Sequence, residues 1–178
     1  RWRLLETLDG ARTWTTVPTP VPPTAACSPE NGTLVVASAN TIERRVAGTW
    51  RRVLRAQPFD ENRESFWFSR VVADPQRPST LLAVGNEFVL HGGTYPRLFA
   101  SLDAGATWRE LSAASYVFAF DPHDASSVLV ALQSEIVRVR LDRLSRRHVA
   151  TIPGAGAIVA FLVDRDDART IYAITGNA

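Results

Sequence analysis

One phrase recurs along this chain and constrains its fold more than any other feature. It reads Val71-Val72-Ala73-Asp74-Pro75, followed by Ser79-Thr80-Leu81-Leu82-Ala83-Val84. It returns as Phe118-Ala119-Phe120-Asp121-Pro122 with Ser126-Ser127-Val128-Leu129-Val130-Ala131. A third copy is Phe161-Leu162-Val163-Asp164 with Arg169-Thr170-Ile171-Tyr172-Ala173-Ile174, and a weaker one is Ala26-Cys27-Ser28-Pro29 with Thr33-Leu34-Val35-Val36-Ala37. The Asp residues stand 47 and then 43 positions apart, and in each strong copy the second apolar run begins seven positions after the Asp. Self-similarity at such a period marks stacked supersecondary units that bury their faces only against one another. Each phrase predicts a β-hairpin, because β-branched and aromatic runs flank a turn rich in Asp, Pro and Ser. Pro after the Asp fixes φ and offers no amide N–H to a ladder, so it stops the first strand.

A second phrase alternates with the first. Its complete copy is Ser101-Leu102-Asp103-Ala104-Gly105-Ala106-Thr107-Trp108, and another is Thr7-Leu8-Asp9-Gly10-Ala11-Arg12-Thr13-Trp14. In a decayed copy, Ala47-Gly48-Thr49-Trp50, Arg45 stands where the Asp belongs, and 142–148 occupies the equivalent stretch further on with no copy at all. These octapeptides resemble the Asp-box, or BNR, repeat, Ser/Thr-x-Asp-x-Gly-x-Thr-Trp. The resemblance implies a structural role for Asp9, Trp14, Trp50, Ser101, Asp103, Gly105, Thr107 and Trp108. The carboxylate accepts backbone N–H groups inside the turn, Gly supplies a backbone conformation other residues resist, and the Trp buries its ring against a neighbouring element.

The two phrases together predict an all-β fold, a β-propeller of four-stranded antiparallel blades with about four blades' worth of strands. With strands named a to d from the axis outward, strands c and d are expected at 2–8 and 13–17 within residues 1–17. Blades are expected at 24–54, 67–112 and 116–152, and strands a and b at 157–163 and 170–175. The broken order, c–d first and a–b last, leaves two arrangements open: an arc of a larger ring, or a small ring closed by joining the two halves. All of 1–178 is then one propeller domain or segment. Within the superfamily the pattern looks like photosystem II stability/assembly factors, sortilin-type receptor domains and xyloglucanase-type glycosidases.

Composition excludes several functions. The net charge is only +2 and all 20 basic residues are Arg, scattered and mostly near acidic residues, so no basic stripe points to nucleic acid. Cys27 stands alone, so neither an internal disulfide nor a Cys/His zinc set is expected. No apolar run is long enough to span a bilayer. No cofactor and no metal are expected.

Propeller geometry puts the d–a and b–c connections on one face. Two of these read as long loops, Arg55 to Phe66 and Gly85 to Pro96, and long loops on rigid scaffolds are where binding resides. The candidate binding residues are Phe59, Asp60, Arg63, Trp67, Glu87, Phe88, His91, Tyr95 and Arg97. Aromatics mixed with Arg suit a protein–protein hot spot. A glycosidase would need two carboxylates flanking a cleft, and nothing in the sequence pairs Asp60, Glu61, Glu64 or Glu87. No residue is assigned as catalytic. The reading is a non-catalytic interaction or scaffold propeller, an accessory subunit or assembly factor whose partner is a protein or multi-subunit complex. The alternatives are a sialidase- or xyloglucanase-like glycoside hydrolase and a receptor-like ligand-binding propeller. The resemblance to assembly factors implies an extracytoplasmic place, periplasmic or secreted, peripheral to a membrane complex, with any leader not present in this chain.

Overall fold

The computed structural model describes residues 2–30, 32–57, 65–89 and 92–176. It contains sixteen strands among these residues: β1 (Leu4–Glu6), β2 (Thr15–Val17), β3 (Ala25–Cys27), β4 (Leu34–Ser38), β5 (Thr41–Val46), β6 (Thr49–Arg55), β7 (Ser65–Ala73), β8 (Leu81–Val89), β9 (Gly93–Ser101), β10 (Arg109–Glu110), β11 (Phe118–Phe120), β12 (Ser127–Leu132), β13 (Glu135–Arg140), β14 (Arg146–Thr151), β15 (Ile158–Val163) and β16 (Ile171–Thr175). They form three four-stranded antiparallel sheets in chain order, β3–β6, β7–β10 and β11–β14, and two separate two-stranded sheets, β1–β2 and β15–β16. These are three complete blades of a propeller arc flanked by two half-blades. The halves share no sheet, so the arc is open rather than a small four-bladed ring.

The core lies between blades. The second blade is buried on both sides, which is why Leu81–Val84 of β8 reads as a continuous apolar run. One face, with Phe66, Phe68, Leu81, Ala83 and Phe99, packs on Val35, Ala37 and Ile42 of the first blade. The other face, with Leu82, Val84, Leu98 and Ala100, packs on Val128, Val130, Val137 and Val139 of the third. A bulge between Phe68 and Arg70 makes this division possible. Strict alternation would put Phe68 and Val71 on opposite faces; the extra residue, Ser69, brings both onto the first blade.

The turn carboxylates hold these hairpins. Asp74 accepts the amide of Gln76 at 2.9 Å and Arg77 Nε at 2.6 Å, while Arg77 Nη2 donates to the carbonyl of Asp121 in the next blade at 2.7 Å. His123 Nε2 lies 2.8 Å from the carbonyl of Asp164, so the turn of the third blade reaches the following one in the same way. Neighbouring turns are thus tied along one end of the arc, and His123 serves that contact.

The octapeptide turns have one shared geometry. The Thr107 amide and hydroxyl donate to the two oxygens of Asp103 at 2.8 and 2.6 Å, and the Gly105 amide donates to Ser101 Oγ at 2.9 Å. Asp9 receives the Thr13 amide and hydroxyl at 2.9 and 2.6 Å, and the Ala11 amide donates to Thr7 Oγ1 at 2.9 Å. Gly105 has a φ of +82°, and its counterpart Ala11 takes +71° despite its Cβ. At 45–50 the connection is instead a two-residue hairpin, with Ala47 at φ +49° and Gly48 at +80°. Two successive positive φ values match the right-handed strand twist and leave no place for an Asp-held loop. Trp108 packs on the core between the first and second blades, and Trp50 Nε1 donates to the carbonyl of Pro18 at 3.0 Å. Trp14 departs from expectation: it is 56% exposed, because no blade lies beside it.

These turns predict an acid response. The Thr13 hydroxyl and amide, joined by Thr7 and Arg12, hold the Asp9 carboxyl down at about 2. At Asp103, burial pulls upward, but the Thr107 and Ser101 bonds outweigh it and the net shift is down. A folded-state value below the unfolded one means stability is present above the unfolded pKa, near 3.8, and lost as pH falls through the folded value. Denaturation measured across this range should show stability falling between about pH 4 and about pH 2. The fall should shrink in an Asp9→Asn, Asp103→Asn double variant; an unchanged slope would mean these turns are not the titrating elements.

Candidate functional site

The residues from Gly85 to Pro96 were expected as a loop. Those described are strands instead, apart from the turn residue Gly92. β8 runs on to Val89 and β9 begins at Gly93, with Gly85 opposite Arg97, Asn86 opposite Pro96, Glu87 opposite Tyr95 and Phe88 opposite Thr94. β7 pairs along the same stretch, from Ser65 opposite Phe88 to Phe68 opposite Gly85. The reason is that pairing in a three-stranded tongue satisfies backbone groups, those of β8 on both sides, that a 12-residue loop would leave to water. Of the other long connection, β6 takes Arg55 and β7 takes Ser65 and Phe66. Phe59, Asp60, Arg63 and His91 lie outside the described residues.

Directly opposed residues share a face. Phe66, Phe68, Glu87, Tyr95 and Arg97 therefore lie on the face turned to the first blade, and Trp67, Asn86, Phe88 and Pro96 on the face turned to the third. The candidate residues are divided by this register rather than gathered in one patch. Glu87 and Arg97 are 1% and 8% exposed, which corrects their placement as surface binding groups. The Arg97 guanidinium makes a two-pronged bond to Glu110, through Nε at 2.7 Å and Nη2 at 2.5 Å, and gives Nη1 to the carbonyl of Gln57 at 2.7 Å. It also lies 4.0 Å from Glu87 Oε2 and 5.2 and 5.4 Å from the ring centres of Phe66 and Phe99. Phe66, Phe68 and Phe99 meet edge to face, at 5.1 to 6.2 Å between centres. Buried arginines keep their charge when forked on carboxylates in this way, and the arrangement fixes the tongue from one side.

What remains accessible is aromatic. Trp67 is 36% exposed and Tyr95, toward the tip, is 51% exposed. Phe88 is half-buried. Beside the face turned to the third blade runs an open groove of about 580 Å³, lined by Pro96, Tyr116, Gln133, Ser134 and Glu135 among others. Its far wall is the β12–β13 turn, held in place because the Ile158 amide donates to the carbonyl of Gln133 at 2.8 Å and that of Ile152 to Ser134 at 2.9 Å. Tyr116 is 46% exposed, and burial of the rest of the ring raises its hydroxyl pKa, keeping it a hydrogen-bond donor. Sequence reading missed Tyr116 and the 133–135 turn because both connections are short. The rule that d–a and b–c connections share a face applies to short ones as well, and would have found them. Among the described residues no group of three or more His, Cys, Asp or Glu side chains is placed to hold a metal ion, and no helix is long and apolar enough to cross a membrane.

Compared with protein families and with curated proteins, the chain matches none. Solved structures resemble it in fold. The crystal structure of the GH74 xyloglucanase from Xanthomonas campestris superposes on 74% of this chain with a TM-score of 0.50, at 21% sequence identity. The chain spans 23% of the length of that protein. At this identity the likeness carries the fold alone, a β-propeller.

Proposed function

We propose that this chain is a non-catalytic interaction propeller of the Asp-box kind, an accessory subunit or assembly factor that docks on a larger protein complex. The observation that carries this reading is the second-blade tongue. It presents Trp67 and Phe88 on the face turned to the third blade, on strands held rigid by Arg97 and three packed Phe rings. Rigid aromatic anchors beside a groove are what protein hot spots use, since little side-chain entropy is lost on binding. The octapeptide turns, with their paired Asp–Thr bonds, support the Asp-box assignment. The resemblance to photosystem II assembly factors makes an extracytoplasmic membrane complex the partner of first choice.

The glycosidase reading is favoured only by the fold of the xyloglucanase. Glu87, the described carboxylate it would call on, is turned inward beside Arg97 rather than toward a cleft.

Replacement of Trp67 and Tyr116 by Ala should weaken capture of the partner complex from solubilised membranes by at least about tenfold, the scale of hot-spot loss. The melting temperature should stay the same, because both side chains are exposed. Trp2→Ala, at an exposed Trp far from the tongue in sequence (78%), is the control and should bind as the wild type does. Equal capture by all three proteins would remove this surface from consideration.

A further inference from the structure

Arg44, Arg45, Arg51 and Arg52 meet on the β5–β6 hairpin, and its two faces treat them differently. On the face away from the second blade, Arg52 Nε donates to Glu43 at 2.9 Å, and Arg45 lies over the ring of Trp50, 5.6 Å from its centre. On the face turned to the second blade, Arg44 and Arg51 stand directly opposite each other across the ladder. Residues so opposed have Cβ atoms about 4.5–5.5 Å apart, and like charges there repel. Among the described residues, neither lies within ion-pair distance of a carboxylate.

The matching positions of the other complete blades meet their charge. Arg44, Ala100 and Arg138 stand opposite Val35, Leu82 and Leu129, and Arg51, Arg109 and Arg147 stand opposite those three in turn. In the second blade the single cation, Arg109, donates to the carbonyl of Asp142 at 3.3 Å, and Asp142 lines the same cleft. In the third blade Arg138 is paired with Asp121 at 2.8 Å. The first blade sets two guanidinium groups together without such a carboxylate among the described residues.

This pair lines a cleft of about 470 Å³ between two complete blades. Val46, Thr49 and Val53 continue its wall on the first blade, and Ala106 of the 101–108 turn stands across from them. The Asp103 carboxylate of that turn is already engaged by Thr107 and Ser101. Arg44 is oriented in advance: its Nε donates to the Ala104 carbonyl at 2.9 Å, and the Ala104 amide donates to the Ser79 carbonyl at 2.8 Å. A guanidinium plane set before a ligand arrives loses little side-chain entropy on binding.

We infer that this cleft binds a phosphate monoester. Two positive charges match a dianion, and guanidinium forks match its oxygens. The Thr49 hydroxyl adds a donor, and Val46, 42% exposed, gives the organic group of the ester an apolar wall together with Val53. The cleft lies beside c–d turns, on the face opposite the tongue, so this inference and the docking proposal stand independently.

Phenyl phosphate, titrated calorimetrically into the chain at constant ionic strength, is the probe. Phenyl sulfate, with one charge, and inorganic phosphate, with no organic group, should each bind at least about tenfold more weakly. Affinity for phenyl phosphate should rise as pH passes about 6, where a monoester gains its second charge while arginine stays charged throughout. Arg51→Gln should weaken binding at least about tenfold, and Arg109→Gln, in the neighbouring cleft, should leave it unchanged. Without ligand, Arg51→Gln should melt no lower than the wild type, because repulsion across the ladder is relieved. Absent binding, equal binding of either control ligand, binding kept in Arg51→Gln or lost in Arg109→Gln, or a lower melting temperature for Arg51→Gln would each overturn the inference.

Discussion

Gly85→Val is expected to cost about 3 kcal/mol or more, the upper range for a single substitution. For a chain of this length that lowers the melting temperature by roughly 6–12 °C. The backbone of Gly85 lies under the ring of Phe66. A Cβ built there would stand 2.1 Å from Cζ, 2.7 Å from Cε2 and 3.1 Å from Cε1. The ring has nowhere to go, since Phe68 and Phe99 meet it edge to face and Arg97 lies over it. Moving it opens a cavity in the core and lifts the guanidinium from its carboxylates. Phe66→Leu in the same chain should recover part of the loss, because the two changes act on one contact. Chemical denaturation of the single and double variants measures both terms. A single variant within about 1 kcal/mol of wild type would show that the ring does not sit over Gly85.

Asp121→Ala is expected to cost about 3–5 kcal/mol, as breaking a buried ion pair does. The carboxylate is fully buried. It receives Arg138 Nη2 at 2.8 Å, the His123 amide at 2.9 Å and the Ser127 hydroxyl at 3.3 Å. Its loss strands a guanidinium whose Nε has no acceptor among the described residues. The same change at Asp164, which among the described residues receives the amides of its own turn, Asp166 and Asp167, should cost about 1 kcal/mol. Denaturation of the two variants side by side tests whether the repeated Asp has one role or two. Equal losses would mean that the buried pair adds nothing to the turn.

That contrast also marks how far the chain's own letters reach. The unit of the fold was legible because its determinants are local. The Asp-Pro phrases, the Asp–Thr pairs of the octapeptides and the alternation of apolar residues all act within about ten positions, and the structure is all-β with four-stranded antiparallel sheets. The candidate site was only partly legible. Trp67 reads as a binding candidate from its place beside a long connection, but the pairing with β8 is what turns Phe66 and Phe68 to the first blade and leaves Trp67 on the opposite face. Glu87 and Arg97 read as loop charges until β8 and β9 pair to the tip and turn both inward.

The sequence by itself therefore determined the four-stranded unit, the chemistry of its turns and the c–d to a–b order of its ends. Each rests on hydrogen bonds or steric limits between near neighbours. Tertiary structure alone decided which aromatics are exposed and which are core, that Tyr116 and the 133–135 turn share a groove, and that the two half-blades stand in separate sheets. These depend on register between strands and on contact between blades, where a shift of one residue exchanges inside for outside.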